Sequence, residues 1–453
     1  MSHDKARELD SYLSLMREPG QIDSEGVFTI SGLKAIGKLG SSLLRNKEDW
    51  ILKVIQAACV GGASSLNITQ TKSSTQIRYL IPHEFSMPDL ERALTAPLTE
   101  SENPGLNELA SGLRALDMGQ NRDWVAKVHV RGQVFLIGCS DSSISSRRTH
   151  AERDIGEQTD ISLGISYPAG ESGKIGGLVR FGTAIQNEHS ILLAKARACP
   201  IPLFLDGRRI DDLFESRKES VYLEHSFLGV MASKPDSDLS IQIPGALKEN
   251  EGFQVQDRFA TNAPFYLPPF PEDRKASALL RWHYNYEIFH DSTKKKNREG
   301  SFSFAAVPTP SRIHLVRHGV VVGTGILGIT HPISVNIFLP AEHLRSDLSG
   351  LTAKTTDVEV ELAKQKIRQS GPFLRELCKA LKAHKARPRK KDLLVYGGLG
   401  ALGLIFPVFA VKAVAGAATA LAYQRAAKTQ KRLIEDCAMQ LRDIEGRLKL
   451  TNR

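Results

Sequence analysis

This chain has little of what a secreted, metal-held or covalently braced protein needs. Its five cysteines, Cys59, Cys139, Cys199, Cys378 and Cys437, are scattered singly. The odd count argues against a disulfide framework, no pair has metal-ligand spacing, and a reducing cytosol suits them. The opening MSHDKARELDSYL holds no apolar run, so no secretory leader is expected. Acidic groups are in deficit, 50 against 60 basic, for a formal net charge of +10, with much of the excess toward the C-terminal end. A solvated basic face is the common meaning of such an excess. Here it adjoins an apolar segment, so an anionic lipid surface is the expected partner and nucleic acid is not. With 41% hydrophobic and 24% charged residues over 453 positions, the chain is globular and too long for one core; two or three domains are expected.

What is present begins with residues 50–68, WILKVIQAACVGGASSLNI. An apolar helix, a Gly-Gly pair and a strand is the plainest reading, with the glycines as a C-cap. The stretch also resembles the first signature of the Hsp90-like (GHKL) ATPases, roughly RELIQNAxDAGAxxIxI, with Leu52, Ile55, Gln56, Ala58, Gly62, Ala63 and Ile68 fitting. Lys53 stands where that family has the Glu that activates water, Ala57 where it has the Mg²⁺-ligating Asn, and Val60 where it has an Asp or similar group. Asn46-Lys47-Glu48 precedes the helix as a similar NKE does in Hsp90 proteins, and Phe28 to Leu44 reads as an amphipathic lead-in helix. Downstream, IPHEFSM at 81–87 falls where the family has DxGxG: Pro82 replaces the adenine-binding Asp, Glu84 and Ser86 replace the glycines, and Met87 survives. The counterpart of the phosphate-covering glycine box is Leu109–Ala115, which keeps Gly112 alone.

The resemblance implies an α/β (α+β) protein whose N-terminal half is an Hsp90-like sandwich of helices on a mixed sheet, followed by a smaller α/β middle domain and a hydrophobic helical segment. It also implies a nucleotide site without its chemistry. An ammonium is no carboxylate base at neutral pH, and a methyl group offers Mg²⁺ no oxygen. No catalytic residue and no metal are expected, and ATP or ADP is the only cofactor the frame suggests, with Gln56 still placed to touch it. The alternative is an active ATPase or chaperone that recruits replacement carboxylates, Glu48, Asp49 or Glu84.

The domain reading is a helical arm at 1–24, the degenerate nucleotide domain at 25–215, the middle domain at 216–356, an amphipathic helix and polybasic linker at 357–391, a membrane-inserting segment at 392–423 and a charged helix at 424–453. Val125–Ile137 reads as a hairpin turning at Gly132, Ser140–His150 as an exposed loop, His189–Ala198 as a helix, and Asp206-Gly207 as a tight turn between strands. Strands are expected at Arg312–Val316, Gly319–Gly323 and Ile333–Leu339, and the 357–385 helix is broken near Gly371-Pro372.

Two motifs are decoys. Leu315–Gly319, LVRHG, matches the phosphate motif of histidine phosphatases, but no later histidine sits in the required setting; a hairpin turn at His318-Gly319 is the plain reading of Arg317 and His318. Gly398, Gly400 and Gly403 spell GxGxxG with too little chain after them for a nucleotide-binding sheet.

From Leu393 to Tyr423 the one charge is Lys412, and basic clusters flank both ends. A single helix here would be about 46 Å long against a hydrocarbon core of roughly 30 Å. A re-entrant hairpin with both ends in the cytoplasm is therefore preferred to a tilted span. Small residues such as Gly397, Ala401, Ala413 and Ala417 would let such helices pack, so self-association is an expectation, with the globular part on the cytoplasmic side and any protein partner unknown. The last helix carries Leu433, Cys437, Leu441 and Ile444 on one stripe, for a coiled coil or for packing back on 357–385.

Overall fold

The computed structural model describes residues 46–448 apart from 84, 96–100, 117–122, 141–142, 152–154, 168–173, 212, 214–222, 235–238, 245–251, 256–263, 268–271, 291–301, 348 and 384–430. The arm at 1–24, the lead-in helix, Glu84, the 398–403 glycines and the apolar 392–423 segment lie outside the described residues.

A 3-10 turn, Lys47–Asp49, runs into α1, Trp50–Val60. Trp50 to Ala58 are all buried, as a helix apolar on nearly every side must be. Its end is a Schellman cap: Ala63 N–H donates to Ala58 O at 2.9 Å and Gly62 N–H to Cys59 O at 3.2 Å. The left-handed φ of 70° that this cap needs is supplied by Gly62.

The first sheet contains β1 (Leu66–Gln70), β2 (Ser74–Ile81), β3 (Asp123–Val130), β4 (Gln133–Ser140), β5 (Ser143–His150), β6 (Thr159–Ser166), β7 (Leu203–Leu205) and β8 (Arg208–Arg209) in the order β5-β4-β3-β6-β2-β1-β7-β8. Its one parallel pairing sets Leu66 of β1 against Leu203 of β7. Ile77, Tyr79, Ile81, Trp124, Ala126 and Val128 point into the core while Arg78, Val125 and Lys127 are exposed. One face is therefore covered, by α1, α2 (Met87–Thr95), α3 (Pro104–Leu116) and α4 (Lys174–Lys195), giving the expected sandwich of helices on a mixed sheet.

A buried carboxylate ties these layers together. Glu188 of α4, fully buried, accepts from Trp50 Nε1 at 3.2 Å, Gln70 Nε2 at 3.2 Å, Thr75 Oγ1 at 3.1 Å and Tyr167 OH at 2.5 Å. Two of these donors are on adjacent strands, one opens α1, and Tyr167 directly follows β6.

The second sheet is built from β9 (Leu223–Ser233), β11 (Gly252–Val255), β12 (Pro264–Leu267), β14 (Ala278–His290), β16 (Thr309–Arg317), β17 (Val320–His331) and β18 (Ile333–Pro340), in the order β11-β12-β9-β14-β18-β16-β17, with β15 (Phe302–Ala306) on β14. A short ladder pairs β10 (Ile241–Gln242) with β13 (Lys275–Ala276). α5 (Asp357–Gln369) starts at a Thr356–Glu359 capping box, and α6 (Gly371–Ala383) follows after Ser370, the expected break. Residues 431–448 form α7. It packs back on α6 and on the sheet, the second of its two expected modes. Cys378 Sγ lies 3.6 Å from Ala438 O and Arg375 pairs with Glu445 at 3.3 Å. Tyr284 OH donates to Asp436, His331 Nε2 sits 3.0 Å from Asp443, and Leu433, Cys437, Leu441 and Ile444 are buried.

Two expectations change. Ser140–His150 is not a loop: Ser143–His150 pairs in unbroken register with β4, an edge strand whose serines and arginines disguise it. The helix expected from His189 begins at Lys174 and ends at Lys195. The second sheet has as many strands as the first. The three tight turns, Arg131-Gly132, Asp206-Gly207 and His318-Gly319, all have two positive φ values, the type I′ geometry that their X-Gly sequences favour.

Candidate functional site

Lys53, Gln56 and Ala57 are buried on α1, at 4%, 0% and 1% exposure, where α3 crosses it. Lys53 Nζ donates to Glu108 Oε2 at 2.5 Å. A Cβ added at Gly112 would stand 3.2 Å from Lys53 Cβ and 3.4 Å from Trp50 O; one at Gly105 would stand 3.2 Å from Gly61 N and 3.3 Å from Ala57 O. The two glycines, two turns apart on one face of α3, let the helix backbones meet. Lys53 and Ala57 are thus in van der Waals contact with α3, Lys53 at Gly112 and Ala57 at Gly105.

Gly112 is a mid-helix residue. It lies inside α3 and not at a helix start, so its N–H is committed to the helix. The start is at Asn103-Pro104, where Asn103 Oδ1 accepts from Gly105 N–H at 2.9 Å and Leu106 N–H at 3.2 Å. An Asn cap followed by Pro was a legible signal.

The other expected positions disperse. Val60 is half-buried at the end of α1, and Pro82 is exposed beside Gly62. Of the replacement carboxylates, Glu48 is partly exposed on the 3-10 turn, and Asp49 is buried and paired with Lys195 at 3.2 Å. The carboxylate that does reach Lys53 is Glu108, passed over in the sequence although it precedes Gly112 by one helical turn and so shares its face.

The second sheet seals the seam with the β16–β17 turn. Gln56 Nε2 donates to Arg317 O at 3.2 Å, and the Arg317 guanidinium donates to Ala341 O at 2.9 Å and Ser346 Oγ at 2.6 Å. Gly319 fits against Pro200 and Cys59, whose Sγ is 3.5 Å from Cys199 Sγ. Burial holds the His318 imidazole below its ordinary pKa, opposed by Glu108 and Glu342. LVRHG is therefore a docking turn: its arginine caps chain carbonyls and its histidine is the first turn residue.

No family model and no curated protein matches the chain. Among solved structures it is similar to the ATPase region of Saccharomyces cerevisiae topoisomerase II, at 9% identity and TM-score 0.34, covering 68% of this chain and 77% of that one. It is also similar to the N-terminal domain of a DNA repair protein, at 8% identity and TM-score 0.33, covering 75% and 97%. The topoisomerase IV ATP-binding domain of Francisella tularensis follows at 18% identity and TM-score 0.25, covering 38% and 89%. With TM-scores of 0.34 and below, what this site does has to be read from its own geometry.

Proposed function

We propose that this chain is a membrane-attached binding or scaffolding protein, with an Hsp90-like N-terminal half at 25–215 that does not hydrolyse ATP. The observation that supports it is the closed seam: Lys53, in the place of the catalytic carboxylate, is paired with Glu108, and Gly112 lies against its Cβ. A buried ammonium already engaged by a carboxylate has neither the charge nor the freedom to activate water. Among the described residues no helix is long and apolar enough to cross a membrane. Attachment is assigned to residues 392–423 and their basic flanks, with the globular part on the cytoplasmic face and self-association through the same segment.

One preparation tests both halves. Full-length protein is expected in the membrane fraction, extractable by detergent, and the extracted protein should release no phosphate from MgATP above background. Recovery in the soluble fraction without detergent removes the attachment. Turnover that disappears in Glu48→Ala or Glu84→Ala would establish the active-ATPase alternative.

A further inference from the structure

Two of the five cysteines, 140 positions apart, meet where the docking turn rests on the first unit. Cys59 is in the last turn of α1, and Cys199 lies in the connection from α4 to β7. Their Sγ atoms are 3.5 Å apart and both thiols are free. A disulfide closes at about 2.05 Å, so side-chain rotation has roughly 1.5 Å to cover. Gly319 covers the pair: a Cβ there would stand 2.9 Å from Cys59 Sγ and 3.3 Å from Cys199 Cα. Cys59 is half-buried while the other four cysteines are buried, so a solute can reach one sulfur, and that sulfur touches the second.

The surroundings suit oxidation chemistry. The Tyr79 hydroxyl on β2 is buried with no hydrogen-bond partner among the described residues. Burial, and then the neighbouring Cys59, hold this phenol well above its ordinary pKa, so it stays a donor. A buried donor without an acceptor is costly, and an oxygen added to the Cys59 sulfur is an acceptor of the kind it lacks. The Cys59 thiol is itself held up, first by its contact with Cys199 and then by burial, so at neutral pH it rests protonated. The resting state is therefore a pair of thiols, and its oxidation needs a sustained oxidant.

We propose that Cys59 and Cys199 are a modification site, closed to a reversible disulfide by a peroxide, which fastens the end of α1 to the α4–β7 connection beneath the docking turn. The minor thiolate of Cys59 attacks one peroxide oxygen: an S–O bond forms, the O–O bond breaks, and the leaving hydroxide takes a proton to become water. Cys199 then attacks the Cys59 sulfur: the S–S bond forms, the S–O bond breaks, and the hydroxyl leaves with the Cys199 proton as a second water. Two thiols and one peroxide thus give one disulfide and two waters. The chemistry needs neither a nucleotide nor a bilayer.

The test is peptide mapping by mass spectrometry of the full chain, purified under reductant, freed of it, treated with hydrogen peroxide while folded, and then alkylated. A peptide pair joining Cys59 to Cys199, two hydrogens lighter than the two thiol peptides together, is expected, and dithiothreitol should separate it. Because the bond spans 140 positions it restricts the unfolded chain, so the oxidised protein should have a higher urea midpoint than the reduced one. Cys59→Ser should lose both the joined peptide and the midpoint shift, and Cys378→Ser should keep both. Alkylation of both sulfurs with no joined peptide overturns the proposal, as does Cys59 ending as a sulfinic acid with Cys199 still free. An oxidised midpoint equal to or below the reduced one, or a rise that persists in Cys59→Ser, overturns the fastening role. If Cys59→Ser fails to fold, the oxidised and reduced forms of the parent chain still decide the matter.

Discussion

Glu188→Leu is expected to lower the unfolding free energy by about 3–5 kcal/mol, the range for leaving buried partners of a removed charge uncompensated. Four donors converge on this one side chain: the Trp50 indole, the Gln70 amide, the Thr75 hydroxyl and the Tyr167 phenol. Leucine fills much of the volume but accepts nothing. Each stranded donor costs roughly 1–3 kcal/mol, less whatever local repacking recovers, so the sum is sub-additive. Glu188→Gln keeps one acceptor oxygen and adds donors where donors already crowd, so about half the loss is expected. Tyr167→Phe removes the hydroxyl that donates to Glu188 and lies 3.3 Å from Thr75 Oγ1, and should cost about 1–2 kcal/mol. Urea unfolding of the full chain in detergent, followed by tryptophan fluorescence, measures all three. A leucine variant within about 1 kcal/mol of the parent would mean that the network is not what joins α4 to the sheet.

Gly319→Val is expected to cost about 2–4 kcal/mol and to loosen the second sheet from α1. Two independent penalties meet at this residue. Its φ of 78° disfavours any Cβ, by roughly 1–2 kcal/mol. A Cβ there would also stand 2.7 Å from Pro200 Cδ and 2.9 Å from Cys59 Sγ, and such overpacking costs about 1–3 kcal/mol. Gly132→Ala separates the two effects, because Gly132 has a φ of 68° and nothing within 4 Å of an added Cβ. The alanine variant should show the backbone penalty alone, and Gly319→Val should exceed it. The docking itself is read by limited proteolysis: Gly319→Val should expose the β16–β17 turn to cleavage in the folded protein. Equal stability of the two variants and an intact turn would sink the idea that this contact holds the units together.

Much of the fold was legible because its signals are local. The three X-Gly turns, the Gly61-Gly62 cap, the Gly371 break and the Leu433–Ile444 stripe each follow from a few neighbouring residues. The β5 edge strand was not legible, because an edge needs no apolar alternation on both faces and its pairing partner supplies the order. The site was legible only by what it lacks. That Lys53 and Ala57 depart from the signature this stretch resembles can be read from the sequence; that Glu108 engages Lys53 requires knowing that α3 lies against α1, a contact made at two glycines with no side chain to announce it. The buried polar face of the second sheet was missed for a related reason. Arg281, His283 and Asn285 look like the solvent side of an amphipathic strand until another part of the chain is placed over them.

The packing of α6 against α7 has one more consequence, for the intervening chain. The chain leaves the second unit at the end of α6 and rejoins it at α7, and the Arg375–Glu445 and Cys378–Ala438 contacts hold these helices on the same body. The helices on either side of residues 384–430 therefore belong to one folded body. On the membrane attachment proposed above, the two helices are expected on one side of the bilayer. Cysteines introduced at Ala386 and Thr429, in full-length protein incorporated into sealed vesicles, should therefore react together with an impermeant maleimide or escape it together; labelling of one without the other would show the two helices parted across the membrane.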